Sequence, residues 1–548
     1  MPRLALQSGV VVTKDSIVVL KEPLGRFRIQ FLKVQVIIKN RLNGRVRVRG
    51  WPYTRARNLD GQLMRKLNEV CLVGHIDEED PRPWLEQAII DVYESDIEGL
   101  RVGGLRTTNA PFPQFRFGDA AYRLKGKRWV EHHEVLVCRY HHYLVYRDVI
   151  KKKLEKAHQW VLIHANEDMS DAEYKVRDMA KTNDWRGGNI PGGSFCPLGF
   201  DPEVISIDDD DDEDNKVTLD RNGSDATKAD GPNMRKPGQK YTVGDLFSGA
   251  GGASRGIQQA GFKLVFAVDH WSVAVTTYRA NFPEVDCHLM EVDDFTKDSD
   301  INYRVDILHL SPPCQVWSPA HTIAGQNDDK NMAALMSCTE VIEQIRPRLF
   351  TLEQTFGMLH TRFELYFNGL VGGFTDHGYS VRWGVINFNT WGLCQPRRRL
   401  VMVGACPGQA LPDFPSATHS QDGAGGLLPF TTSREALAHL RAGDDLHDVA
   451  DMPRLWNARS WDPDAPLPHT ITCSGGQNHH WGGQRDFTAR EYASLQGFPV
   501  RHRFRGAYLK RQIGNAFPPS MARRLFGHLR DFLEREDRMV GPREAEHE

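Results

Sequence analysis

At 548 residues, 40% of them hydrophobic, the chain is long for one hydrophobic core and apolar enough to fold, which points to two or three domains joined by linkers. A formal net charge of −2 conceals an acidic run near the middle with basic clusters on both sides, so global charge neither requires nor excludes a nucleic-acid partner. Nine scattered cysteines, none spaced C-x-x-C, argue against a disulfide scaffold or structural zinc site and for a reducing compartment; the opening MPRLALQSGVVVTKDS lacks a signal-peptide core and no run of 18 apolar residues occurs, so a soluble intracellular protein with no metal and no membrane partner is expected.

Residues 1–150 carry short β-branched runs (34–38, 45–49, 87–92, 135–145) broken by turn residues, the pattern of a mainly β domain. Alternation puts Arg45, Arg47 and Arg49 on one strand face, either a solvated face or a surface for nucleic acid or a partner. Residues 151–200 read as a helical and irregular connector, and 201–240 as a disordered acidic linker, because the seven consecutive acids at 208–214 repel one another. Just before them, Val204-Ile205-Ser206-Ile207 resembles a SUMO-interacting motif, in which Val204, Ile205 and Ile207 would join a partner's sheet edge as a strand. The paired histidines at 132–133, 141–142 and 479–480 have no ligand spacing and read as surface or structural groups.

From Tyr241 strand-like runs at 263–268, 305–310, 349–352, 381–388 and 400–403 alternate with helical patterns such as 332–345, the signature of an α/β domain around a largely parallel sheet. Ligands in such folds collect at the carboxyl ends of the strands. The first strand turns through Phe247-Ser248-Gly249-Ala250-Gly251-Gly252 into a helix, and glycines let backbone approach a ligand closely. The second ends in Asp269-His270-Trp271, a carboxylate for ribose hydroxyls beside an indole for an adenine face; Asp293-Asp294-Phe295 closes the third. Together these favour an adenosine-bearing cofactor, against a reading in which Trp271 is core and Asp269 a helix cap. The fourth strand leads into Ser311-Pro312-Pro313-Cys314-Gln315-Val316-Trp317-Ser318, where two prolines stiffen a loop that presents a cysteine. Glu353 ends the next strand, and Gln395-Pro396-Arg397-Arg398-Arg399 follows. A cysteine, a carboxylic acid and arginines converging at strand ends suit addition to an electron-poor ring.

These motifs, with Arg490-Glu491, Leu495-Gln496-Gly497-Phe498-Pro499 and Gln512-Ile513-Gly514-Asn515-Ala516-Phe517-Pro518-Pro519, resemble in order those of the cytosine-C5 DNA methyltransferases, over about 241–535. The variants Ser-Pro-Pro-Cys-Gln-Val-Trp-Ser-Pro-Ala-His and Glu353-Gln354-Thr355 look most like the fungal RID-like genome-defence branch; most members have Glu-Asn-Val at the second site. The resemblance implies a Rossmann-like S-adenosylmethionine-dependent methyltransferase sheet at 241–405 and 466–535, a small target-recognition region at 406–465, a disordered tail at 536–548, and an N-terminal domain similar to bromo-adjacent homology domains.

It further implies that Cys314 adds as thiolate to cytosine C6, Glu353 binds N3 as an acid, Arg399 holds O2 and Arg397 supports the same loop. Pro313, Asn515 and Ala516 would join the cofactor site for S-adenosylmethionine and its product S-adenosylhomocysteine. Gln315, Ser318 and Gln395 would meet double-stranded DNA, from which the cytosine is extruded. A nuclear enzyme of gene silencing is expected, with histone, other chromatin or SUMO partners. Two alternatives are a chromatin or DNA-binding scaffold that keeps the fold with little turnover, motivated by Gln354, and a tRNA cytosine-5 methyltransferase, disfavoured by the long N-terminal module.

Overall fold

The computed structural model describes residues 1–110, 120–146, 155–162, 175–197, 233–317, 328–456 and 458–540. Among them one sheet of 16 strands runs through the whole molecule. Its first half has the order Asp286–Leu289, Lys263–Asp269, Thr242–Leu246, Ile307–Leu310, Leu349–Thr355, Arg398–Ala405, Ser380–Asn387. The first five of these are parallel, and Arg398–Ala405 is antiparallel to both neighbours. Strands covered on both faces need apolar side chains on both, and Leu400, Val401, Met402 and Val403 are accordingly all wholly buried. Helices cover the two faces: 328–345 and Glu364–Asp376 on one, Gly252–Gln259 and Pro519–Glu536 on the other. The last two cross so closely that a Cβ on Gly256 would collide with the backbone of Pro519 and Arg523.

The expected α/β sheet and the mainly β N-terminal region are both present, but the boundary between them differs from expectation. The connector at 151–200 contains a strand, Glu155–Leu162, that pairs antiparallel with Leu136–Tyr146 on one side and with Ser380–Asn387 on the other. Through it the N-terminal strands continue the catalytic-half sheet, in the order Leu136–Tyr146, Glu69–Asp77, Val46–Arg55, Ile29–Lys39, Ile17–Leu24, Ile97–Leu100. Side chains reinforce the junction: the Gln62 amide donates to Asn368 (2.6 Å) and the Tyr140 hydroxyl to the carbonyl of Thr375 (3.0 Å). Among the described residues of the connector, helix is confined to Asp178–Arg186.

Two further expectations are corrected. The linker expected at 201–240 ends in ordered structure, since Asn233–Met234 pairs parallel with Met539–Val540. The same pairing orders the start of the tail expected at 536–548. There Asp537, almost fully buried, accepts from Tyr241 (2.8 Å), Gly192 N (3.0 Å) and Arg348 (2.8 Å). A buried carboxylate with that many donors fixes the chain end to the sheet. Residues 198–232, which hold Val204, Ile205, Ile207 and the acidic run, lie outside the described residues. Of the arginine face, Arg47 and Arg49 both bind Asp91 on the adjacent strand, which favours the solvated-face reading for those two.

Candidate active site

The first strand, Thr242–Leu246, ends in a turn that only a special backbone can make. Phe247, Gly249 and Gly251 all have positive φ (59°, 52° and 83°) before the helix Gly252–Gln259 begins. The turn is fastened from the next strand: Asp269 accepts the N–H of Gly249 and that of Trp271, each at 2.8 Å. Burial pushes the Asp269 carboxyl up, and these two N–H groups pull it back. Ser248 is buried and among the described residues its hydroxyl has no hydrogen-bond partner, while a Cβ on Gly249 would meet none of them within 4 Å. Gly252 is different, because a Cβ there would fall 2.6 Å from the carbonyl oxygen of Phe517 and 2.8 Å from Ala516. The late motif therefore closes against the first one, with Asn515 exposed at the rim.

An unpartnered hydroxyl, open space over a glycine, a carboxylate with remaining lone pairs and a half-buried indole fit an adenosine-bearing group. The Trp271 ring carries the Arg511 guanidinium at 4.6 Å and has Tyr508 at 6.4 Å, two neighbours that sequence reasoning missed. His270 is exposed beside Glu291. Asp293 and Asp294 are exposed, Asp293 paired with Lys297 at 2.6 Å. Phe295, expected at the cofactor, is wholly buried and stacks on Phe266 at 5.5 Å, so its ring belongs to the core beneath the site.

The cysteine loop leaves the neighbouring strand Ile307–Leu310, whose partner on the other side is Leu349–Thr355; Leu310 faces Leu352, so Cys314 and Glu353 emerge at adjacent strand ends. Burial pushes the Cys314 thiol up; Arg399 and Arg397 oppose that, and Glu353 adds to it. All four groups thus act on one another electrostatically. Glu353 is almost fully buried and paired with Arg399 at 2.8 Å.

The loop is braced from below. Gln354, fully buried, donates to the carbonyls of Pro312 (3.1 Å) and Pro313 (3.3 Å), and its own oxygen accepts the Thr355 N–H. His309, also fully buried, bonds Thr351 on one side and Ser311 on the other, both at 2.7 Å. Burial pushes it down to about 3, so it is a neutral strut at physiological pH. The only advance signal for Gln354 was its departure from the common Asn.

The two arginines of the motif divide by what they bind. Arg399 faces Glu353. Arg397, grouped with the catalytic residues as support for their loop, is wholly buried and spends its guanidinium on the carbonyls of Ile471 (2.9 Å), Gly514 (3.2 Å) and Ala516 (3.3 Å), which makes it a positioning residue. Gln395, expected at DNA, is misassigned. It is fully buried, donates to Leu495 O (3.0 Å) and Gln496 (2.9 Å), and accepts from Ile471 N (2.9 Å). Its motif letter is explained by cross-bracing the late motifs. Gln315 is exposed, and Ser318 lies outside the described residues.

A family model described as C-5 cytosine-specific DNA methylase matches residues 241–424 and 441–531. The chain is 30% identical over 319 residues to the type II methyltransferase M1.HphI of Haemophilus parahaemolyticus, covering 51% of this chain and 83% of that one. It is 28% identical over 325 residues to M.NgoFVII of Neisseria gonorrhoeae, covering 52% and 86%. The solved S. pombe Dnmt2 methyltransferase aligns over 54% of this chain and 99% of its own, at 18% identity and a TM-score of 0.40.

Proposed function

The chain belongs to the C-5 cytosine-specific DNA methylase family, and from that premise we propose that it methylates C5 of a cytosine turned out of duplex DNA, in the service of genome defence. The observation that carries this reading is the meeting of Cys314 with the Glu353–Arg399 pair at strand ends next to the glycine cradle. Cys314, as thiolate, forms the bond to C6; Glu353, as an acid, supplies a proton to N3, so that electrons flow to C5; Arg399, paired with Glu353, would hold O2. S-adenosylmethionine, when bound, supplies the methyl group. Ser248, the Gly249–Gly252 backbone, Asp269 and Trp271 would hold it, with Asn515 and Ala516 at the rim. After transfer a base takes the C5 proton, the C6–sulfur bond breaks to free the thiolate, and N3 returns its proton to Glu353.

Because burial holds the resting thiol protonated, the thiolate has to form as the base docks and Arg399 turns toward the ring. Gln354, the residue that motivates a scaffold with little turnover, forms two bonds to the cysteine loop, which supports catalysis instead. Nuclear location and partners among SUMO and histones are proposed from the sequence motif and the N-terminal module alone.

The test is incubation of the full chain with labelled S-adenosylmethionine and unmethylated, hemimethylated or mismatched duplexes. Transfer that vanishes in Cys314→Ala, and a covalent adduct on 5-fluorocytosine DNA, are expected. Measurable cofactor binding with no transfer and no adduct on any duplex would move the weight to the scaffold.

A further inference from the structure

Arg397 and Arg399 turn inward, so Arg398 between them turns outward, at the start of its strand and past the carboxyl end of the glutamate strand. Its guanidinium lies 4.9 Å from the centre of the Phe356 ring, the residue that follows Glu353-Gln354-Thr355. Six residues on, exposed Arg362 repeats the arrangement over Phe363 at 4.5 Å. Phe363 in turn packs edge-on against Trp317 at 5.0 Å, at the end of the cysteine loop, so both platforms belong to the rim of the active site. Among the described residues neither guanidinium has a carboxylate or hydrogen-bond partner. The acids nearest Arg362 along the chain are already engaged, Glu364 by Arg26 and Glu353 by Arg399.

Two unneutralised guanidiniums, each set over an aromatic ring, are presented with reduced side-chain freedom and all their donors available. That is a poor arrangement for stability and a good one for a phosphate, which a planar fork grips with two parallel bonds. We propose that Arg398 and Arg362 anchor the phosphodiester backbone of the strand that carries the target cytosine. The inference rests on the DNA-methyltransferase reading and deepens it, since it names the groups that hold the strand while Cys314 and Glu353 engage the base.

The experiment uses the full chain and a mixed-sequence duplex, with binding followed by fluorescence anisotropy from 50 to 200 mM salt. Arg398→Gln and Arg362→Gln should each weaken binding about tenfold at the low-salt end. Each should also make the slope of log affinity against log salt shallower by about 1, because one phosphate contact is lost. Arg398→Lys should restore the slope and only part of the affinity, since a point charge lacks the fork. Cofactor affinity, measured by calorimetry, should not move in any of the three. A double variant with unchanged affinity and slope overturns the inference alone if the unmutated chain still methylates duplex DNA. Loss of affinity with an unchanged slope overturns it too, as the arginines would then act through structure. A chain that neither binds nor methylates duplexes sinks both this inference and the reading beneath it.

Discussion

The glycine loop at 247–252 and the cysteine loop at 311–317 leave adjacent parallel strands and are tied together, since the Ser311 N–H donates to the Leu246 carbonyl at 3.2 Å. They are shaped by opposite means. The glycine loop owes its course to atoms that are missing: positive φ at Gly249 and Gly251, and a close pass of the Phe517 carbonyl and the Ala516 side chain over Gly252. The cysteine loop owes its course to atoms reaching in from neighbouring strands, because two prolines leave it short of N–H donors and its carbonyls are caught by Gln354. One loop should therefore fail when a methyl group is added, the other when a side chain is removed.

The sharpest break of that comparison is Gln354→Ala. Leaving two carbonyls without donors costs roughly 1–3 kcal/mol each, so kcat should fall on the order of 100-fold while cofactor affinity stays within twofold. Gln354→Asn, one methylene shorter, should recover part of the loss. Equal loss of kcat and cofactor affinity in the Ala variant would show that the two loops are one unit. The reciprocal change, Gly252→Ala, pushes on the Phe517 carbonyl and on Ala516. Overpacking of this kind costs about 1–3 kcal/mol, so calorimetry should show cofactor affinity reduced about tenfold, with kcat at saturating cofactor changed only a few-fold.

A smaller effect separates charge from shape in the cysteine loop. Burial raises the Cys314 thiol and Arg399 is the first force opposing it. Alkylation of the Cys314 peptide by iodoacetamide, followed by mass spectrometry, should rise with pH along a curve displaced above that of an ordinary thiol. Arg399→Gln should displace it further and slow labelling several-fold near pH 8. Faster labelling in that variant would mean that the arginine shields the thiol more than it stabilises its anion.

The same contrast explains what could be read from the sequence. Glycine motifs, Pro-Pro-Cys and the strand-end glutamate are local, and their chemistry is written in consecutive residues. Gln395 was misplaced because a motif letter does not say which way a side chain points; ahead of the strand that begins at Arg398, hydrogen bonds turn Gln395 and Arg397 inward, against the 471 and 514–516 backbone. The strand Glu155–Leu162 was illegible because one of its partners, Ser380–Asn387, lies more than 200 residues away, and strand propensity depends on what a segment packs against. The pairing of Asn233–Met234 with Met539–Val540 escaped for the same reason, at the edges of segments whose composition reads as linker and tail.

The subtlest test lies under the glycine loop. Asp245 is wholly buried in the first strand; one oxygen accepts from the Ser254 hydroxyl and the other has no partner among the described residues. Burial pushes its pKa up to about 7, from an ordinary value near 3.9 in the unfolded chain. The folded state therefore binds this proton more tightly than the unfolded state does. The resulting stability is fully present below about pH 4, is lost as pH rises through about 7, and is constant above that. Asp245→Asn removes the titration and keeps the shape. Its stability relative to the unmutated chain should grow between pH 5 and pH 8 by on the order of 2 kcal/mol, read by denaturant unfolding at the two pH values. Cofactor affinity should hardly change, because the carboxyl lies beneath the loop and the loop is set by its backbone. A stability gap that stays flat across that range would mean that the carboxylate is ionised in place and solvated by groups the glycine strand does not reveal. The view of this loop as a backbone device resting on a neutral core would then have to be given up.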